Sequence, residues 1–90
     1  MKTIEFDIKI PEELTFVNLC IGLVQHSSEF MSDMTITTDD HQTSPVDLRS
    51  ILGVMSLAMS NGKHVIITIS GKDEDKAELV IKSYADKFSA

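Results

Sequence analysis

The residues of this sequence that could carry chemistry are few and lie far apart. Three histidines, His26, His41 and His64, are spread along the chain, without the cysteine and histidine spacing of a zinc site. Each falls where a solvated side chain is expected, in or after a helix, in a polar turn and at the start of a strand. The one cysteine, Cys20, lies on an apolar helical stripe, which predicts a core residue and not a nucleophile.

Two pairs of adjacent acids are the other candidates for chemistry. Glu12 and Glu13 are of the type that general acid–base catalysis uses, but no partner group accompanies them, so an exposed loop is predicted. Asp39 and Asp40 stand in a polar turn that lacks the ligand spacing of a calcium loop. The sequence therefore predicts no catalytic residue, no metal site and no cofactor.

The most informative stretch is residues 49–57, RSILGVMSL, which predicts a short helix with Ser50 at its start. Val54 and Leu57 fall on one side of this helix. Ile51, Leu52 and Met55 fall on another side, at helical spacing. A helix this short cannot bury both sides against one small sheet. Exposure of the second side predicts a docking surface for a partner protein or for a second copy in a homodimer.

The alternative for these three apolar residues is burial under the turn at residues 41–45. Exposure and burial of these residues both stay open on the sequence alone. Capping by Ser50 is compatible with phosphorylation of its hydroxyl, because the same helix dipole favours a phosphate group.

Composition excludes several classes of function. Acidic residues number 14 against 8 basic ones, for a net charge of −6, which argues against a nucleic-acid binder. No apolar run approaches the roughly 20 residues of a membrane span, and the N-terminus lacks the apolar stretch of a signal peptide. A single cysteine permits no internal disulfide, as expected in the cytoplasm. Ninety residues predict one domain over 1–90.

The elements that must position these residues alternate along the chain. Strands are predicted from Ile4 to the stop at Pro11 and over residues 34–38, 46–48 and 64–70. Three helices are predicted. The first runs from residue 16, with Thr15 as its N-cap, to about residue 30, and the second runs from Ser50 to Asn61. The third follows Asp73, which is its predicted cap. The order βαββαβα predicts an α+β fold, with a four-stranded antiparallel sheet covered on one face by three helices.

Residues 47–57 resemble the regulatory-serine segment of HPr, the histidine phosphocarrier of the bacterial sugar phosphotransferase system. The resemblance continues through Asn61 and Gly62, residues 65–77 and the segment Leu23-Val24-Gln25. It implies the HPr open-faced sandwich, a regulatory phosphorylation at Ser50, and partner docking by the exposed side of the short helix. Arg49 stands where the family more usually has lysine, and residues 43–45 resemble an insertion.

The chain departs from the family at the phosphoacceptor. Family members carry a Gly-x-His-Ala-Arg-Pro-like run there, which falls on residues 14–19 when counted back from Gln25. Phe16 then stands at the histidine and Asn18 at the arginine, or Thr15 at the histidine after a one-residue shift. None of these side chains supplies a nitrogen nucleophile, so phosphocarrier activity is expected to be absent.

Three hypotheses follow. The first is a non-catalytic HPr-like regulator that binds a partner, such as a regulator, a kinase or a phosphotransferase-system component, through Phe16, Ile51, Leu52 and Met55. The second is a phosphocarrier with an unconventional acceptor. The third is a structural or assembly subunit with no link to phosphotransfer.

Overall fold

The computed structural model describes residues 1–38, 44–57 and 61–90. Its strands form one antiparallel sheet in the order β1-β4-β2-β3. The strands are β1 (Lys2–Asp7), β2 (Asp33–Thr38), β3 (Val46–Asp47) and β4 (His64–Ser70). The helices are α1 (Phe16–Ser27), α2 (Ile51–Ser56) and α3 (Glu74–Ala85), followed by a 3-10 turn over Asp86–Phe88. The predicted order βαββαβα and the α+β open-faced sandwich are confirmed.

The core lies between the helices and one face of the sheet. Strand residues alternate across the sheet, so the row Ile4, Ile67 and Ile36 points to one side and is buried. The buried residues of the helices join this row in a single apolar cluster, with Leu19, Leu23, Val54 and Ile81 among them. The next row, Glu5, Ile66 and Thr37, points to the opposite, open face.

The ends of several elements differ from the sequence prediction. β1 stops at Asp7, because Ile8 forms only an isolated bridge with Ser89 and its N–H donates to the Lys63 carbonyl. α1 stops at Ser27, and the hydroxyls of Ser27 and Ser28 both donate to the Val24 carbonyl. Phe30 nevertheless packs against the core from the turn that follows.

The other end points shift as well. β3 covers Val46–Asp47, and the Leu48 N–H still donates to the Met34 carbonyl. α2 ends at Ser56, because Leu57 has an extended backbone, and its expected continuation over residues 58–60 lies outside the described residues. Gly62 has a φ of 89°, a left-handed conformation that favours glycine in the turn before β4.

Asp73 occupies the N-cap position of α3 but makes no capping hydrogen bond with its side chain. Its carboxylate accepts hydrogen bonds from the N–H groups of Met31 (2.8 Å) and Ser32 (2.9 Å) and from the Ser32 hydroxyl. These bonds, the Ser32 hydroxyl first, lower the pKa of Asp73. Asp73 therefore does not provide the expected side-chain cap of α3 but links the start of α3 to the loop before β2.

α3 crosses α1 at a glycine. The Tyr84 hydroxyl donates to the Asn18 carbonyl at 2.7 Å, and the tyrosine ring covers Gly22 so closely that a Cβ there would overlap it. Gly22 is buried in the middle of α1, where glycine is otherwise unfavourable. The close packing of the two helices explains why glycine stands there.

Candidate functional site

The start of α1 is closed by a capping box. Thr15 is the N-cap, with φ −123° and ψ 165°, and its hydroxyl accepts a hydrogen bond from the Asn18 N–H at 3.4 Å. In return the Asn18 side-chain oxygen accepts the Thr15 N–H at 2.8 Å. Both side chains therefore cap the start of α1. The cap at Thr15 was predicted from the sequence, whereas the hydrogen bond that Asn18 accepts from the Thr15 N–H was not.

Phe16 is the first residue of α1, and its side chain is 40% exposed. A phenyl ring has no lone pair with which to attack a phosphoryl group. The first turn of α1 also contains no acidic residue. This end of the helix therefore presents apolar surface where the resemblance implies a reactive nitrogen.

Ser50 is the N-cap of α2, as predicted. Its backbone is extended, with φ −94° and ψ 108°, and its hydroxyl accepts the Gly53 N–H at 3.1 Å. The residue is exposed, so capping leaves the hydroxyl open to solvent. The structure thus combines the capping role with accessibility for modification.

Ser50→Ala is expected to lower the free energy of unfolding by roughly 1 kcal/mol, because it removes this cap. Ser50→Asp is expected to be close to neutral, since aspartate also caps and its charge suits a helix N-terminus. Urea unfolding curves of the three proteins measure both effects. Equal and large losses from both changes would show that the hydroxyl has another structural role.

The two sides of α2 differ sharply in exposure. Val54 is buried, whereas Leu52 is 80% and Met55 41% exposed, as predicted, and Leu57, which follows the helix with an extended backbone, is buried as well. Ile51 differs from the expectation, because it is only partly exposed and packs against the core. The reason is helical spacing: Ile51 lies one turn before the buried Val54, while Leu52 lies one turn before Met55. We call the exposed set Phe16, Leu52 and Met55 the apolar patch.

One hydrogen bond orients α2 relative to α1. The hydroxyl of Ser27, the last residue of α1, donates to the carbonyl of Leu48 at 3.3 Å, just before α2 begins. The two helices also pack against each other. The segment that leads into α2 therefore lies beside the C-terminal end of α1.

Neither of the two histidines that the structure describes supplies a nitrogen to this surface. His26 is near the C-terminal end of α1, about 15 Å along the helix from Phe16. Its ring packs against Tyr84 with the centroids 4.9 Å apart, and its Nδ1 is buried without a hydrogen-bond partner. His41 lies outside the described residues. Both His26 and His64 are partly exposed, and each also contacts neighbouring side chains.

His64 bridges two carboxylates on the open face of the sheet. Its Nδ1 lies 2.7 Å from Asp7 and its Nε2 lies 3.0 Å from Glu5. The hydrogen bond with Glu5, followed by that with Asp7, raises the pKa of His64. This cluster was not predicted from the sequence, because it depends on the pairing of β1 with β4. The alternation of Glu5 and Asp7 in β1 was the available signal.

The raised pKa predicts a pH-dependent contribution to stability. The protonated ring stabilises the fold at pH below about 6.5, and this contribution is lost as pH rises through the raised pKa. We expect the urea midpoint of wild type to exceed that of His64→Gln most at pH ~5.5 and least at pH ~8.5. In the control background Glu5→Gln/Asp7→Asn, His64→Gln should have the same effect at every pH. A constant difference in the wild-type background would contradict this account.

The remaining candidates stay structural. Cys20 is fully buried, and burial raises the pKa of its thiol, so it is a core residue as predicted. Glu12 and Glu13 lie in an exposed turn, and neither forms an ion pair within the described part of the chain. Asp39 and Asp40 lie outside the described residues. Among residues 1–38, 44–57 and 61–90, no group of three metal-binding side chains comes together, and no helix is long and apolar enough to span a membrane.

The fold and the serine-capped helix define a class of protein, the open-faced sandwiches of the phosphotransferase system. A sequence model of that family, PTS-HPr, described as the "PTS HPr component phosphorylation site", matches residues 5–86. The chain therefore belongs to the HPr family.

Individual relatives agree with this assignment. The HPr-like protein Crh of Bacillus subtilis is 34% identical over 64 residues, covering 71% of this chain and 72% of Crh. The structure of HPr-C-His from Thermoanaerobacter tengcongensis has a TM-score of 0.78 at 29% identity, covering 96% of this chain and 92% of that one. The structure of Crh, described as a domain-swapped dimer, has a TM-score of 0.68 at 26% identity, covering 93% and 87%.

Proposed function

We propose that this protein is a non-catalytic HPr-like regulator that binds a partner protein through the apolar patch. The observation that carries the proposal is the exposure of Leu52 (80%) on a helix whose opposite side is buried. A large aliphatic side chain left in water, with Met55 and Phe16 also exposed, is typical of a docking surface. Phe16 extends this surface at the position where the family's chemistry would otherwise be.

The loss of chemistry follows from the same residues. Phe16 offers no acceptor atom, and Asn18 is uncharged and committed to the capping box with Thr15. A phosphoryl group at this helix end would find no nitrogen nucleophile and no cationic side chain among residues 14–19. The alternative of a phosphocarrier therefore requires an acceptor outside residues 14–19.

Regulation by phosphorylation at Ser50 is part of the proposal. The hydroxyl is exposed and sits at the N-terminus of α2, where a phosphate finds favourable amide dipoles. It also lies two residues before Leu52, so a phosphate there would change the charge beside the apolar patch. Incubation with a serine kinase of this family's regulatory type, followed by mass spectrometry, tests this part separately.

The free, buried thiol of Cys20 suits a reducing cytoplasm, where we place this protein. A second copy of the chain is another candidate partner for the apolar patch, and the dimer described for Crh favours it. The hypothesis of a structural or assembly subunit differs from the proposed regulator because it requires no phosphorylation at Ser50.

The test compares two apolar residues of similar exposure. Leu52→Gln removes the centre of the apolar patch, whereas Leu79→Gln changes a leucine that is 68% exposed on α3. Immobilised wild type, Leu52→Gln and Leu79→Gln are each used to capture proteins from the source bacterium, and the captured partner is then titrated by calorimetry. We expect binding to survive Leu79→Gln and to be lost with Leu52→Gln. Equal binding by all three proteins would refute docking at the patch.

A further inference from the structure

We propose that the apolar patch receives a basic partner, an apolar protein segment flanked by lysine or arginine. This inference rests on the proposed function, because it specifies the partner of the same surface. It is carried by the distribution of charge around that surface.

The elements that carry the patch are depleted of cations. No lysine or arginine occurs between Lys9 and Arg49. The same interval contains seven acidic residues, namely Glu12, Glu13, Glu29, Asp33, Asp39, Asp40 and Asp47. The lysines lie outside this interval, before residue 10 or after residue 62. α1 itself therefore contributes no lysine or arginine to a contact with a partner.

Glu12 and Glu13 place two of these charges beside Phe16. They lie in the turn closed by the hydrogen bond from the Leu14 N–H to the Pro11 carbonyl at 3.0 Å. Glu13 is three residues before Phe16, so their Cα atoms are at most about 11 Å apart, close to the Debye length at physiological salt. Both carboxylates are exposed, and no described cation pairs with them. Their charge is therefore available to a partner, and we call Glu12 and Glu13 the acidic rim of the patch.

Arg49 is the only cation close to α2 in sequence, and it is already engaged. Its guanidinium donates to the Ser32 carbonyl, and it lines a recess together with Asp33 and Asp47. Its backbone N–H also donates to the Asp47 carboxylate at 2.9 Å. The two aspartates offset its charge, so Arg49 does not reverse the acidic character of this side of the molecule.

These charges decide between the possible occupants. A second copy would bring two acidic rims together in molecules of net charge −6, which opposes association. A membrane surface rich in anionic lipids would be repelled for the same reason. A basic amphipathic helix satisfies both the apolar patch and the acidic rim.

Two synthetic 18-residue amphipathic peptides serve as probes, one of leucine and lysine and one of leucine and glutamate. Their binding is measured by fluorescence anisotropy against wild type and three variants. Glu12→Lys/Glu13→Lys reverses the rim, and Asp75→Lys/Asp86→Lys makes the same change of net charge on α3 and the turn that follows it. Leu52→Gln removes the apolar centre. Urea curves confirm that each variant is folded.

We expect the lysine peptide to bind wild type, and Glu12→Lys/Glu13→Lys to weaken this binding about tenfold. Asp75→Lys/Asp86→Lys should weaken it far less, and the glutamate peptide should not bind wild type. If Leu52→Gln weakens binding but the two charge variants are equal, the basic-partner inference fails while docking stands. If Leu52→Gln has no effect, docking at the patch fails and the inference falls with it.

Discussion

Leu57→Ala is expected to lower the free energy of unfolding by roughly 2–5 kcal/mol, because it empties a core site. Leu57 is 3% exposed and belongs to the apolar cluster between helices and sheet. Met55→Ala, two residues earlier and 41% exposed, should cost about 1 kcal/mol or less, since a large part of its surface stays in water in the folded protein. Denaturant unfolding of the two variants and wild type measures the difference.

The comparison also tests the docking surface. Sedimentation of wild type and Met55→Ala, alone and with the partner, should show weaker association for the variant at nearly unchanged stability. If Met55→Ala destabilises the fold as much as Leu57→Ala, then Met55 is a core residue. The apolar patch would then lose the property that makes it a docking surface.

Gly22→Ala is expected to lower the free energy of unfolding by about 1–3 kcal/mol, because the added Cβ would overlap the Tyr84 ring. Helix propensity alone predicts the opposite, a gain of up to about 1 kcal/mol for alanine in the middle of α1. The sign of the change therefore separates packing from propensity, and urea unfolding measures it.

The control is the same substitution in a Tyr84→Ala background. There the ring is absent, so Gly22→Ala should be neutral or stabilising. A stabilising Gly22→Ala in the wild-type background would show that α3 does not pack on α1 as closely as described.

Strands were predictable where their faces differ. β4 begins and ends at the predicted residues, His64 and Ser70, because its alternate residues Val65, Ile67 and Ile69 are all apolar and buried. The N-caps of α1 and α2 were also predictable, since Thr15 and Ser50 act on residues three positions away. A cap of this kind involves residues close together in the sequence, so it can be predicted without knowledge of the tertiary structure.

Features that depend on tertiary packing were not predictable in this way. Asp73 has the sequence position of a cap, yet it binds a loop some 40 residues earlier in the chain. His64 meets Glu5 and Asp7 only because β1 is the sheet neighbour of β4. Ile51 has helical spacing to both the buried Val54 and the exposed Met55, so its packing against the core depends on the tertiary contacts of this six-residue helix.

The central claim of the account is that the chain retains the HPr fold and cannot accept a phosphoryl group. Incubation with labelled phosphoenolpyruvate and enzyme I, beside an HPr that has its acceptor histidine as control, tests it most directly. We expect no acid-labile phosphohistidine on wild type, and at most weak labelling of Phe16→His, because Asn18 still replaces the arginine. Stoichiometric label on His26, His41 or His64 of wild type would contradict the account.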